Sequence, residues 1–339
     1  MSLDAPPSLP LPRLRFASEA PGARPGDLDG ARVVMRGCVL VPRPDRALWE
    51  QQREMTLARA LAALRSCPSA RALTHESAAL LHGLPLLNPE PDVRVAVPSL
   101  PRTGRRSLGR ALYSDSRGST WGREVSLVRS SRSLEDDDVT RVAGLPVTSL
   151  RRTIVDCAMD LPAREAICVV DAGLRRLCGP DRWTGRCAID PDDERARLLN
   201  LLESLPARRG VRRARAVLGF ASPWAESPGE SVLRWRLAVD GLPDPVLQQV
   251  VEDREHHWFI DLAWPVSRLA VEFDGYSKYG TAEDLRAEKR RELRLQALGW
   301  TVLRFDWAGI GRADELTMRV RAHLAPGEAP APVRSYLRA

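Results

Sequence analysis

The chain has 339 residues, 44% of them hydrophobic, which makes a globular protein of two or three units the starting expectation. No window approaches ~18 uncharged apolar residues, so no membrane-spanning helix is expected, and the proline-interrupted start MSLDAPPSLPLPRLRF does not read as a secretion signal. A formal net charge of +7 points to a polyanionic partner.

Six cysteines without a CxxC pair read as scattered buried thiols of a reducing cytoplasm, ahead of a zinc site or a disulfide framework. Of 51 lysines and arginines only Lys278 and Lys289 are lysine, and they stand close together in the C-terminal third. A lysine is a compact point charge, whereas guanidinium is a wide planar fork.

Residues 1–30 hold six prolines and three glycines and read as a mostly irregular arm. An α/β pattern follows over 31–177. Residues 31–41 are strand-like, 49–66 form a helix on the Leu57, Leu61, Leu64 spacing, and THESAALLHG (74–83) is a short helix with Thr74 as N-cap and Gly83 as its stop. Strands are expected at 92–97, 110–114, 124–130 and 139–144. LPVTSLRRTIVDCAMDL starts a helix near Thr148 or Ser149, and 163–177 forms another. His75 and His82 read as structural.

Between 178 and 221 come a linker, CGPDRWTG, and two helices at 191–204 and 207–220. The second carries Arg208, Arg209, Arg212, Arg213 and Arg215 with no acid. That run is either a solvated helix face or a contact for nucleic-acid phosphates. From 222 to 325 the order is helix (227–239), strands (245–251, 258–264, 268–275), helix (281–298, stopped by Gly299) and strand (300–307). This α-β-β-β-α-β order describes a compact α/β module, followed by a tail at 326–339.

In RLAVEFDG the acids Glu272 and Asp274 share one strand face, and in WFIDLAW Asp261 lies opposite Ile260 and Leu262. A hairpin through WPVSRL puts Asp261 and Glu272 on the same face, directly opposed if the loop has four residues and diagonal if it has two. Like charges so placed repel. Either a divalent cation, Mg²⁺ or Mn²⁺ on hard carboxylate oxygens, offsets them, or the acids face solvent at a sheet edge. Glu230 on the preceding helix is a third acid for that site, or the far end of a capping box begun by Ser227 and Pro228. Lys289, between Leu285 and Leu293 on the helical spacing, reads as a lysine snorkelling from the apolar side, with a DNA contact as its functional alternative. His256 and His257 read as exposed turn residues, and Trp258, Trp264, Trp300 and Trp307 as packing.

The segments ESPGES..R, GLPDPVLQ, IDLAWP, VEFDG..KY, EKRRE..L...GW and VLRF together resemble the very-short-patch-repair-endonuclease-like domains of the PD-(D/E)xK nuclease superfamily. The resemblance covers about residues 222–323 and implies a restriction-endonuclease-like core. It implies Asp261 and Glu272 as metal-binding acids and Glu230 as the helix acid. Two positions depart from the pattern. Asp274 stands where the superfamily has a lysine, and Lys278 stands where related domains carry a histidine after the DG turn. A lysine at 278 could swing back over the strand end and serve as the missing basic group.

RGCVLVP, THESAALLHGLPL, VTRVAGLPVTSLRRTIVDCA and DAGLRRL resemble type IV toxin–antitoxin, abortive-infection antitoxins. That resemblance implies a DNA-binding winged helix, here degenerate because a Pro/Gly-rich arm precedes RGCVLV. Two functions are therefore expected. One is an Mg²⁺-dependent DNA endonuclease of repair or phage defence. The other is a non-catalytic, antitoxin-like DNA-binding regulator that keeps the nuclease core as a scaffold. DNA is the expected partner of both, with a toxin protein or a second copy of the chain as further candidates and no membrane.

Overall fold

The computed structural model describes residues 11–17, 31–41, 43, 46–99, 102–116, 118–206, 208–253, 256–275, 282–326, 328, 334 and 337, the side chains at 282, 284 and 285 excepted. The chain divides into two compact units, Met1–Cys157 and Ala158–Ala339, both of mixed helix and strand. Among the described residues no helix is long and apolar enough to cross a membrane.

In the first unit β1 (Leu14–Phe16), β2 (Arg32–Met35) and β3 (Cys38–Leu40) form an antiparallel sheet in the order β1-β3-β2. The helix α1 (Leu48–Ser66) leads to β4 (Ala72–Leu73), α2 (His75–Leu81), β5 (Val93–Ala96), β6 (Arg105–Gly109), β7 (Leu112–Asp115) and β8 (Gly118–Trp121). Then come β9 (Val125–Ser130), β10 (Val139–Val142) and β11 (Leu145–Thr148). A six-stranded mixed sheet runs β10-β11-β4-β5-β9-β6, and β7 pairs with β8 as a separate hairpin. Met55, Leu73, Val95, Leu127 and Val147 lie in one core, where the small Ala58, Ala60, Ala62 and Ala63 let α1 approach closely.

Within the arm, Leu14–Phe16 is a strand because β3 offers it a complete antiparallel register. Leu145–Thr148 is also a strand, pairing with β10 on one side and with β4 on the other. The helix expected to start near Thr148 or Ser149 begins at Leu150, and the Ser149 carbonyl accepts the Thr153 N–H at 2.8 Å. His75 and His82 are buried and structural. His75 Nδ1 lies 2.8 Å from the Thr74 hydroxyl, and His82 Nε2 lies 2.8 Å from the Thr148 carbonyl.

The helix α3 (Leu150–Asp160) runs across the division between units. The second unit continues with α4 (Ala163–Cys178), β12 (Pro180–Asp181), β13 (Arg186–Cys187), α5 (Pro191–Ser204), α6 (Val211–Phe220) and α7 (Pro228–Val239). Its sheet consists of β14 (Val246–Glu252), β15 (His257–Trp264), β16 (Leu269–Phe273) and β17 (Thr301–Phe305) in that spatial order. The helix α8 (Ala282–Ala297) connects β16 to the parallel β17, and α9 (Trp307–Gly311) and α10 (Ala313–Arg321) follow. The expected α-β-β-β-α-β order is what α7 to β17 show. A buried pair fixes α7 to α4: Arg234 donates to both oxygens of Asp171 at 2.9 and 2.8 Å, and its guanidinium lies over the Phe220 ring.

A carboxylate cavity on the second sheet

The strand β15 turns into β16 through four residues, Pro265 to Arg268, with Trp264 paired to Leu269, Ala263 to Ala270 and Leu262 to Val271. One further step of that register sets Asp261 across from Glu272, the directly opposed arrangement. Glu272 is only 5% exposed, which rules out the solvent-facing alternative for it. Asp261 is half-buried, and its Oδ2 accepts the Phe273 backbone N–H at 3.0 Å.

Two guanidinium groups balance Glu272. Arg291 of α8 donates to its two oxygens at 2.9 and 2.5 Å, and Arg304 of β17, its register partner, donates at 3.4 Å. Arg304 also pairs with Glu288 and Glu292, at 2.5 and 2.7 Å. Burial alone would lower the pKa of Arg291, but the bonds and charges of Glu272 and Glu288 outweigh it and raise the value. Arg304 is raised by the same balance, with Glu292 adding to it. The repulsion expected between the opposed acids is thus met in large part by arginines.

Glu230 arrives from the first turn of α7. Ser227 Oγ accepts the Glu230 N–H at 3.2 Å, as a cap should, but Glu230 Oε2 accepts from the Glu226 N–H at 2.8 Å instead of reaching back to Ser227. The same oxygen takes a 3.3 Å hydrogen bond from Gln248 Nε2. Gln248 falls between the pairs Leu247–Leu262 and Gln249–Ile260, hence beside Asp261, with φ at 50°. That left-handed backbone is strained for a residue with a Cβ, and such strain gathers at functional sites.

These residues line one polar cavity of about 270 Å³, together with Arg182, Glu226, Phe259, Phe273 and Asp274. Its rim and floor carry six carboxylates against three guanidinium groups, an excess of negative charge suited to a cation. Among the described residues no group of three His, Cys, Asp or Glu side chains has the geometry of a metal cluster. The donors nevertheless fit a hard divalent ion in kind. A carboxylate offers about four lone-pair positions, so the Arg291 fork on Glu272 leaves oxygen capacity over.

Several sequence expectations meet a different environment. Lys278 lies outside the described residues. Lys289 does not snorkel from an apolar side: its side chain is 64% exposed, 3.5 Å from Glu292, and Leu293 is exposed too. The inward face of α8 is instead Glu288, Arg291, Glu292 and Leu295. Of the arginine run, Arg209, Arg212 and Arg215 are exposed, whereas Arg213 donates to the Met159 carbonyl and Arg208 lies 3.9 Å from Asp160. Arg213 ties α6, and Arg208 the segment before it, to the C-terminal end of α3. His256 and His257 are exposed as expected, His256 stacked on Trp258. Arg291, Glu288 and Arg304 are site residues that the sequence reading does not single out, although the spacing of Glu288 and Arg291 with Leu295 marks one face of α8.

No family model matches the chain, and no solved structure matches it. Two curated proteins from Mycobacterium tuberculosis, one from strain CDC 1551 / Oshkosh and one from strain ATCC 25618 / H37Rv, are each 32% identical to it over 186 residues. The match takes in 54% of this chain and 64% of each relative, and both relatives bear the name uncharacterized protein.

Proposed function

We propose that the second unit is the catalytic part of a divalent-cation-dependent DNA endonuclease, acting in repair or phage defence. One observation carries the reading: Asp261 and Glu272 oppose each other across β15 and β16 in a polar cavity with a net excess of acids. Mg²⁺ or Mn²⁺ held by these two carboxylates would polarise a phosphoryl oxygen of the DNA backbone. The chain's own part is orientation. The Phe273 amide holds the Asp261 carboxylate, the Arg291 fork fixes the plane of Glu272, and Glu230 and Gln248 close the cavity beside them.

A second reading is supported by the same salt-bridge cluster. Arg291 engages both Glu272 oxygens and an acid, Asp274, stands in the lysine position, which suits a non-catalytic DNA-binding regulator built on a nuclease-like scaffold. Supercoiled plasmid and single-stranded DNA, incubated with the intact chain and Mg²⁺ or Mn²⁺, separate the two. Cation-dependent cleavage that Asp261→Ala abolishes supports the endonuclease. DNA binding without cleavage under either cation selects the scaffold, and absence of both binding and cleavage overturns the two together.

A further inference from the structure

The segment CGPDRWTG, expected to be a linker, is a built hairpin at the cavity. β12 and β13 pair through Pro180–Cys187 and Asp181–Arg186. Asp181 locks the turn between them: its Oδ1 accepts the Trp183 N–H at 2.9 Å, its Oδ2 accepts the Thr184 hydroxyl at 3.1 Å, and its carbonyl accepts the Gly185 N–H at 2.9 Å. Gly185 completes the turn at φ 65°, where a side chain would be strained. Trp183 is therefore held, yet 67% exposed.

The Trp183 indole meets Phe259 edge-on at 4.8 Å and His257 at 6.2 Å, contacts that steady the ring while leaving most of it to solvent. Trp307 also meets a cavity ring edge-on, Phe273 at 4.8 Å, but it is only 38% exposed. Arg182, the residue before Trp183, lies over the Phe259 ring at 4.6 Å and pairs with Glu226 at 3.3 Å. Arg182, Phe259 and Glu226 all line the carboxylate cavity. Exposed Arg186 stands across the hairpin from Asp181.

We propose that Trp183 is a stacking platform for an unpaired base of a DNA strand, set at the mouth of the carboxylate cavity with Arg182 and Arg186 beside it for the strand's phosphates. A rigid aromatic face flanked by arginines is what single strands bind, because every base has a π-face and the phosphates require cations. In a duplex those faces are covered by neighbouring pairs, so the platform selects single-stranded or locally opened DNA. The proposal rests on the reading of the cavity as a site for DNA.

The test measures fluorescence anisotropy of the intact chain with a labelled oligothymidylate of about 16 nucleotides and with a duplex of equal length, in EDTA. Trp183→Ala should weaken single-strand binding by about 10-fold or more, the size expected when one stacked base is lost. Duplex binding should change less than single-strand binding, and Trp183→Phe should retain most of the affinity. Equal losses on both DNAs, no loss in Trp183→Ala, or no single-strand affinity in the intact chain overturns the platform. Asp261→Ala, assayed for cleavage in parallel, separates the two proposals. Cleavage lost there with unaltered binding by Trp183→Ala leaves the endonuclease and ends the platform. A Trp183→Ala defect in a chain that cleaves nothing leaves the platform and ends the endonuclease.

Discussion

The guanidinium of Arg291 gives hydrogen bonds to both oxygens of Glu272, to Glu288 and to the Phe259 carbonyl. A carboxylate only 5% exposed bears a large desolvation cost, which this fork offsets. Arg291→Ala leaves that carboxylate without its bidentate partner and should lower stability by about 2–4 kcal/mol in urea titration. Arg291→Lys should recover little, because a point charge cannot span two oxygens. Glu272→Gln should cost less, since Arg291 keeps Glu288. At the same scale, burial pushes the Cys178 thiol from 9.0 up to about 12 and raises Cys168 and Cys187 as well. A raised folded-state pKa means stability that is fully present below the unfolded value near 9 and lost as the pH climbs toward 12. The thermal midpoint should therefore fall from pH 8 to pH ~10.5, less steeply in Cys178→Ala.

Among elements, α7 reaches the cavity through a start that its sequence specifies. Ser227 caps it, Pro228 takes the first helical position, and Gly229 lets the turn lie against the Phe273 ring, where an added Cβ would collide. Gly229→Ala should cost about 1–3 kcal/mol through overpacking and displace the strand end that carries Glu272, visible as a changed near-ultraviolet dichroism. Ser227→Ala should cost only about 1 kcal/mol, the loss of a helix cap. A wild-type dichroism in Gly229→Ala would show that Phe273 has room to move. The helix α8 is the instructive case for sequence reading. The spacing through Lys289 and Leu293 picks the exposed side, whereas the period through Glu288, Arg291, Glu292 and Leu295 picks the sheet-facing one. Charged residues occupy an inward face here because their partners, Glu272 and Arg304, wait on the strands.

For the whole molecule, the +7 charge makes DNA affinity salt-dependent if DNA is the ligand. Exposed Arg209, Arg212 and Arg215 contribute to that field, while Arg208 and Arg213 are engaged with the end of α3. Replacing the three exposed arginines by alanine should make the log–log salt slope of DNA binding less negative by up to about 3, at ~0.9 per released counterion. An unchanged slope places the DNA elsewhere on the chain. Replacing Arg213 alone should instead act on stability, because its bond to the Met159 carbonyl is internal.

What the sequence determined by itself is local or nearly so. Strand alternation and a short turn sufficed to put Asp261 and Glu272 on one face, since the period of two leaves the facing little freedom, while the structure chose the four-residue loop that opposes them directly. The α-β-β-β-α-β order and the Ser227 cap follow from equally short patterns. Only the tertiary structure decided what neutralises Glu272, because Arg291 and Arg304 lie 19 and 32 residues further on and meet it only when α8 and β17 close the sheet. It also decided that CGPDRWTG is no linker. Gly179, Pro180 and Gly185 resemble those of any connection, and the hairpin acquires its meaning from Glu226, just before α7, and Phe259, which the chain brings to it from beyond α7. Pairings across such separations depend on closing long loops, and no short window of residues records which partner will be met.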